Sequence, residues 1–318
     1  MSLQYDPDFR KATEPFFAQQ QANPRPPMND PFVIRSVITP AMELSMAQFP
    51  EVLEVTHEVY HITSYDGQPI PVYRIYKRNA KTTPGPAIVH AHGGGTVFGD
   101  ASMFIKMLSA LVNQSGAQVF SVDYRLAPEH PFPTPVEDCY AGLSWLIEHS
   151  AEFNIDPKRI GTMGESAGAN LATGIALMAR DRGLSPPVAK QILIYPMLDD
   201  RNTKTYSALT GLSTWSPETN VACWSAYLGS DFGTDRVSPY AAPARAHLEG
   251  LPPTYLEVGN LDIFLGETME YASRLMQANI QVEIHVYPGL PHAFDTFAPF
   301  CEPAKRARMN RVQAASTL

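Results

Sequence analysis

The sequence has few of the residues that build disulfide frameworks, metal clusters or nucleic-acid interfaces. Its 318 residues contain three cysteines, Cys139, Cys223 and Cys301, which are far apart and odd in number. We therefore expect buried free thiols, with no disulfide framework and no bound metal. The 32 acidic residues outnumber the 24 basic ones, which gives a formal net charge of -8. Because the sequence has no block of basic residues beyond a modest scatter near the C-terminus, we expect no nucleic-acid partner.

Long apolar runs are also absent. No run approaches the roughly 20 residues that a membrane-spanning helix needs. The first residues, which include Asp6 and Asp8, lack the basic and then apolar pattern of a secretory signal. We therefore expect a soluble, cytoplasmic protein without stable membrane insertion. The 44% of hydrophobic residues are enough for a chain of this length to bury a substantial core.

From residue 57 onward, strand-like and helix-like patterns alternate. Two segments of period two flank Asp66-Gly67 and predict a β-hairpin. Further on, the continuous apolar run at 191–195 is typical of a parallel strand covered by helices on both faces. The predicted strands are 57–62, 71–76, 86–90, 118–124, 159–163, 191–195, 254–258 and 282–287, and the predicted helices are 104–112, 136–147, 167–178 and 270–278. This alternation predicts an open, mostly parallel α/β sheet.

Two regions interrupt the alternation. Residues 1 to about 50 show no strand period, although Met42, Met46 and Phe49 could share one face of a short helix. That face could contact apolar ligands or simply pack. Residues from about 198 to 245 are predicted to be an insertion over the sheet's edge.

The segment between strand 159–163 and helix 167–178 reads Gly164-Glu165-Ser166-Ala167-Gly168. The glycines on both sides of Ser166, at positions 164 and 168, allow a sharp turn from strand to helix, which exposes the hydroxyl above the sheet. The amide of Ala167, at the start of the helix, would point toward the same space and could donate to an oxyanion. The pattern predicts a nucleophilic serine.

A serine nucleophile needs a histidine base and an acid that orients it. His292 follows the last predicted strand, whereas His285 lies inside that strand. Asp262 follows strand 254–258, and the order Ser166, Asp262, His292 is the one expected for this type of hydrolase. The alternative acids are Asp199 and Asp200, which follow the preceding strand.

A glycine run follows strand 86–90 and reads His92-Gly93-Gly94-Gly95. Glycines there let backbone amides approach a substrate, so this run would complete an oxyanion hole. His90 and His92 could suggest a metal pair, but no carboxylate or cysteine ligand lies nearby in the sequence.

At this point the chain resembles the hormone-sensitive lipase family of α/β-hydrolases, the bacterial group IV esterases. The resemblance spans about residues 85–297. It rests on the glycine run, the serine motif, the spacing of Asp262 and His292, and the segment Asp123-Tyr124-Arg125-Leu126-Ala127-Pro128-Glu129-His130-Pro131-Phe132-Pro133. That last segment resembles a structural signature of the family.

The resemblance implies an α/β-hydrolase fold with a helical cap and no cofactor or metal. The expected organisation is a cap segment at 1–55, a core at 56–197, a cap insertion at 198–245 and the rest of the core at 246–318. In the implied site, Ser166 is the nucleophile, His292 the base and Asp262 its orienter. The oxyanion would be bound around Gly93, Gly94, Gly95 and Ala167. Candidates for the pocket wall are Phe98, Leu212, Trp215 and Phe264.

Three positions depart from the commonest family pattern. Glu165 stands where aspartate is frequent, Thr96 where an aromatic residue often follows the glycines, and Leu265-Gly266-Glu267 where a second aspartate often follows the catalytic one. The expected activity is a serine carboxylesterase for small-molecule esters with short to medium acyl chains, in a chain that could form a homodimer. The alternatives are a deacetylase or thioesterase acting on a natural product, and a non-catalytic receptor on the same fold.

Overall fold

The central sheet has eight strands. The computed structural model of the protein describes residues 3–79, 83–204 and 206–318. Its strands are β1 Val55–Thr63, β2 Pro69–Lys77, β3 Gly85–Ala91, β4 Gln118–Val122, β5 Ile155–Glu165, β6 Gln191–Ile194, β7 Thr254–Gly259 and β8 Val282–Tyr287. They lie in the order β1-β2-β4-β3-β5-β6-β7-β8. The pairs β1 with β2 and β2 with β4 are antiparallel, and the remaining pairs are parallel. The predicted mostly parallel sheet is confirmed.

Helices cover both faces of this sheet. The α-helices among the described residues are α1 Pro7–Ala22, α2 Pro31–Ala47, α3 Ile105–Ser115, α4 Thr134–Glu148, α5 Ala167–Asp181, α6 Pro217–Leu228, α7 Leu265–Gln277, α8 Phe294–Phe297 and α9 Glu302–Ser316. Adjacent residues of a strand point to opposite faces. Ile88 thus packs in the cluster that contains α3 and α9, whereas Val89 packs in the cluster that contains α4 and α5.

The parallel strands bring distant loops to one edge of the sheet. The carboxyl ends of β3, β5, β7 and β8 lead into the loops that carry the glycine run, Ser166, Asp262 and His292. Since β3 pairs with β5, β7 pairs with β8 and only β6 lies between the two pairs, these loops share one edge of the sheet. Open α/β sheets bind their ligands at this edge.

Helices α1 and α9 are among those that the sequence patterns did not predict. Helix α1 begins at the cap Asp6, whose carboxylate accepts from the amides of Asp8 and Phe9, although Pro15 and a polar glutamine run obscure its pattern. Helix α9 has no strong apolar stripe because its buried face consists largely of alanines and Arg311. Both helices are therefore decided by tertiary packing, which outweighs a weak local pattern.

The N-terminal segment is anchored in the protein core. Phe9 and Ile34 are fully buried, and Met46 is buried in the cluster that contains α3 and α9. Met46 is therefore a packing residue. Helix α2 packs against α6 of the insertion, so the two irregular regions of the sequence meet in the fold.

The structure also locates the cysteines and bears on membrane insertion. Cys139, Cys223 and Cys301 are buried free thiols. Within residues 3–79, 83–204 and 206–318, no helix combines the length and apolar character needed to cross a bilayer.

Candidate active site

Ser166 occupies a strained turn between β5 and α5. Its backbone has φ 55° and ψ -116°, in a region that residues with a side chain rarely adopt. The amide of Ser166 donates to Ile194 O at 2.9 Å, and its carbonyl accepts from the Met197 amide at 3.2 Å. These bonds to the loop after β6 hold the turn. As the first residue of α5, Ala167 has an N–H without an intrahelical partner.

The glycine at position 168 permits a close approach between the start of α5 and strand β3. A Cβ atom there would lie 2.0 Å from the Ala91 carbonyl oxygen and 2.5 Å from that of His92. Any larger residue would push α5 away from the sheet. The glycine therefore fixes the helix start beside the loop that follows β3.

The three residues predicted from the sequence order form one hydrogen-bonded chain. His292 Nε2 lies 2.9 Å from Ser166 Oγ, and His292 Nδ1 lies 2.7 Å from Asp262 Oδ2. Since a carboxylate oxygen can only accept, Nδ1 carries a proton, which leaves Nε2 of the neutral ring free to accept from the serine. The other oxygen of Asp262 accepts from the Phe264 amide at 3.0 Å, which fixes the carboxylate. Ser166, Asp262 and His292 are all buried.

The alternative acids lie elsewhere and have other partners. Asp199 pairs with Arg201 at 2.7 Å near the surface. Asp200 is buried and receives two hydrogen bonds from Arg245, at 2.7 and 2.8 Å. Both therefore act as structural anchors for the beginning of the insertion.

The glycine run after β3 lines the same space as Ser166. Gly93, Gly94 and Gly95 all contribute to the wall of the cavity that contains the serine. Gly94 has φ +135°, and a Cβ atom there would lie 2.0 Å from the Phe98 carbonyl oxygen. The backbone path of this loop thus requires glycine at this position.

The histidines beside the glycine run have structural partners. His90 lies 2.8 Å from Ser121 Oγ and 2.9 Å from Glu165 Oε2. His92 lies 2.8 Å from the Gly93 carbonyl oxygen, and burial lowers its pKa to about 4, so that the ring is neutral. Nowhere in the described part of the chain do three or more His, Cys, Asp or Glu side chains form a group that could hold a metal.

The side chains that support His292 from behind were not predicted from the sequence. The Tyr195 ring meets the His292 ring edge-on at 4.9 Å, and its hydroxyl donates to Asp295 at 3.0 Å. Arg311 donates to Asp295 and to Glu257, both at 2.5 Å. Burial would raise the pKa of Asp295, but the Arg311 guanidinium outweighs burial and lowers it. The position of Tyr195 at the end of the predicted strand 191–195 was the one available signal in the sequence.

Strained backbone concentrates around this site. Thr96, Ser166, Tyr195 and Ala293 all have positive φ, at 64°, 55°, 36° and 54°. Each lies in a loop beyond the carboxyl end of a parallel strand. Such strain persists only where surrounding contacts over-determine the conformation, and it is typical of functional sites.

A cavity of about 630 Å³ opens onto Ser166 and His292. Of the four residues predicted for its wall, Phe98 and Trp215 line it. Phe264 is fully buried behind His292, with its ring 4.9 Å from the imidazole, and Leu212 lies outside the lining. The sequence offered no way to separate these two pairs of apolar residues.

The two irregular regions form the roof of the cavity. Phe16, Ile38, Met42 and Leu44 line it from the N-terminal segment, and Thr214 and Trp215 line it from the insertion. Thr214 Oγ1 donates to the His292 carbonyl at 2.6 Å, and Tyr5 Oη donates to the Leu212 carbonyl at 2.9 Å. These bonds tie the roof both to the site and to itself.

Known proteins are similar to this chain over most of their length. A family model described as the alpha/beta hydrolase fold matches residues 88–296. The carboxylesterase NlhH of Mycobacterium tuberculosis is 32% identical over 297 residues, which cover 90% of this chain and 92% of NlhH. The ethyl acetate hydrolase of Pseudomonas putida is 29% identical, with 80% of each chain covered. The structure of a bacterial heroin esterase shares 33% identity at a TM-score of 0.87, over 98% of this chain and 97% of that one.

Together, the fold and these relatives define a carboxylic ester hydrolase. The chain belongs to the hormone-sensitive lipase family of α/β-hydrolases, as its sequence motifs predicted.

Proposed function

We propose that the protein is a serine carboxylesterase that hydrolyses esters with short to medium acyl chains through an acyl-enzyme. The observation that carries the proposal is the hydrogen-bonded chain of Ser166, His292 and Asp262, with Ser166 Oγ 2.9 Å from His292 Nε2. It lies in a cavity of a size that suits a small-molecule ligand.

In the proposed acylation step, Ser166 Oγ attacks the ester carbonyl carbon while its proton passes to His292 Nε2. The negative charge that develops on the carbonyl oxygen is stabilised by backbone N–H groups of the glycine run and of Ala167. The carbon–oxygen bond to the alcohol then breaks, and the alcohol leaves with the proton from His292. Asp262 stabilises the imidazolium that exists between these transfers.

In the proposed deacylation step, His292 removes a proton from water, and the water oxygen attacks the acyl carbon. The bond to Ser166 Oγ breaks, the serine recovers its proton from His292, and the carboxylic acid leaves. The same base serves both half-reactions, so one histidine is sufficient.

The roof supports the proposed range of acyl chains. Apolar side chains such as Phe16, Met42, Trp215 and Phe297 surround the cavity beside Ser166. Each acyl methylene buried against such a wall contributes about 0.8 kcal/mol, so moderate lengthening of the chain should raise kcat/KM until the cavity is filled.

The test is hydrolysis of p-nitrophenyl esters from acetate to decanoate, with Ser166→Ala as the control. We expect turnover that peaks at a short or medium acyl length, and a burst of about one p-nitrophenol per active site where deacylation is slow. A folded wild-type protein that turns over none of these esters would contradict the proposal and favour the receptor alternative.

We further propose a cytoplasmic location and a homodimeric state for the protein. Three buried free thiols suit a reducing compartment, and the family resemblance favours a dimer. Light scattering of the purified protein tests the dimer, and fractionation of the producing cells tests the location.

A further inference from the structure

Arg25 forms part of the wall of the same cavity that contains Ser166. It is partly buried, and its guanidinium carbon lies 5.7 Å from the centroid of the Phe16 ring, which lines the cavity as well. This distance falls within the range of a cation–π contact. The charged group is thus held against the cavity wall.

Arg25 differs from most buried or partly buried arginines of this protein in its lack of an anion. Arg35, Arg125 and Arg311 each pair with a carboxylate, at 2.6, 2.7 and 2.5 Å. For Arg25 no ion pair or hydrogen bond is found across residues 3–79, 83–204 and 206–318. Residues 1–2, 80–82 and 205 contain no Asp or Glu.

The environment of Arg25 favours an added anion. Burial lowers the pKa of its guanidinium, with no carboxylate to oppose that effect, yet the group stays charged at neutral pH. A partly desolvated cation without a counter-charge gains when a ligand supplies one.

The charged residues that line the cavity come from two parts of the chain. The acidic one is Glu165, directly beside Ser166, and the permanently cationic one is Arg25 on the N-terminal roof segment. Because Glu165 is buried and its Oε2 lies 2.9 Å from His90 Nε2, Arg25 is the lining residue with a permanent charge available to attract a ligand anion. The net charge of -8 gives the whole chain no general attraction for anions, so the effect must be local.

The surroundings of Arg25 prepare it for this role. Pro24 and Pro26 flank it and restrict its backbone, which lowers the entropy lost on binding. Gln19, Gln20 and Asn23 also line the cavity, and their side-chain amides can donate to an oxygen ligand.

We propose that the preferred substrates are esters that carry a second, ionised carboxylate remote from the scissile carbonyl, and that Arg25 binds this carboxylate. The planar guanidinium matches a carboxylate in a bidentate arrangement. The proposal rests on the esterase activity proposed above and specifies the class of ester.

The first test compares mono-p-nitrophenyl adipate with p-nitrophenyl hexanoate. Their acyl chains have equal length and differ in the terminal carboxylate. Arg25→Leu should lower the ratio of kcat/KM for the adipate ester to that for the hexanoate ester about tenfold or more. Arg25→Lys should fall between wild type and Arg25→Leu, because it keeps the charge and loses the bidentate geometry.

The matched control is Arg10→Leu. Arg10 is exposed on α1 and lies outside the cavity lining, and its replacement by leucine makes the same change in net charge. It should leave the ratio of the two rates unchanged, which separates a local contact from the overall field. Circular dichroism and melting temperature verify that every variant is folded.

A second pair of substrates places the carboxylate on the alcohol. The acetate ester of 6-hydroxyhexanoate is compared with hexyl acetate by pH-stat titration. Sensitivity to Arg25→Leu in this pair alone would assign the carboxylate to the alcohol part, and sensitivity in the adipate pair alone would assign it to the acyl part; either result supports the proposal.

Unchanged ratios in both pairs would overturn the proposal, and so would an equal loss on charged and neutral esters. Either result, with the hexanoate ester still hydrolysed by wild type, leaves the esterase function standing. A wild-type protein that hydrolyses none of the four esters would reject that function and this inference together.

Discussion

The loops at the sheet edge and the roof above them are built by different means. In the loops, Ser166, Asp262 and His292 are held by short hydrogen bonds and by backbone that leads directly out of parallel strands. In the roof, Phe16 and Trp215 are positioned by side-chain packing, Phe16 against Phe297 and Trp215 against Phe98. In the proposed function, the loops set the chemistry and the roof sets the choice of ester.

The largest expected effect tests the loops. Ser166→Ala should lower kcat on the order of 10⁶-fold, because the nucleophile is lost. The fold should survive, since alanine faces the same backbone strain as serine at this position. Steady-state kinetics and the melting temperature measure the two quantities, and kcat within tenfold of wild type would remove Ser166 from the mechanism.

The next largest loss of activity is expected at Asp262 in the loops, in contrast to Asp199 and Asp200 at the start of the insertion. Asp262→Asn should lower kcat about 10⁴-fold, because an amide cannot stabilise the imidazolium and favours the wrong tautomer. Asp199→Asn should change the unfolding free energy by less than about 1 kcal/mol, since its partner Arg201 is exposed.

Asp200→Asn completes this comparison. It should lower the unfolding free energy on the order of 1–3 kcal/mol, because Arg245 loses a buried carboxylate, and it should leave kcat close to wild type. Urea denaturation and ester kinetics are measured on all three variants. If Asp199→Asn or Asp200→Asn were the most damaging to kcat, the assignment of Asp262 would be wrong.

A pH effect of intermediate size is expected from the buried ring of His92. Its folded-state pKa of about 4 lies below the usual value near 6.5, so the unfolded chain binds more protons between these values. The unfolding free energy should therefore fall by about 3 kcal/mol as the pH drops from 6.5 toward 4.

The measurement is urea denaturation at several pH values for wild type and His92→Gln, which can keep a donor to the Gly93 carbonyl. The variant should show a shallower dependence on pH over this interval. Identical slopes in the two proteins would mean that His92 titrates normally in the fold.

The smallest effect tests the roof. Phe16→Ala should lower the ratio of kcat/KM for hexanoate over acetate esters by roughly fourfold for each methylene that loses its contact. The matched control is Phe17→Ala, because Phe17 stacks on Tyr5 at 5.5 Å and lies outside the cavity lining. Equal changes of the ratio in both variants would point to a shift of α1 as a whole.

Deletion of the N-terminal segment is a poorer test than the sequence suggests. Removing residues 1 to about 45 would seem harmless, since no central strand lies there. Phe9 and Ile34 are fully buried, however, so the deletion would expose core surface that they now cover. Single substitutions in the roof therefore separate substrate contact from stability, which the deletion would not.

The sequence by itself determined the alternation of strands and helices and the turn around Ser166. It also determined the loops that carry Asp262 and His292. These features follow from local patterns, because small residues permit a sharp turn and the carboxyl ends of parallel strands share one edge. The lining residues Phe98 and Trp215 could be proposed from the sequence, but nothing in it distinguished them from Leu212 and Phe264.

Only the tertiary structure decided which residues form the roof and which support His292. Phe16 faces the cavity and its neighbour Phe17 does not, because packing against α8 and Tyr5 sets the rotation of α1. Arg311 can be buried in α9 because Glu257 and Asp295, from two other elements, compensate its charge. Such contacts join residues that are distant in the chain, and their energies appear only once the sheet has brought those residues together.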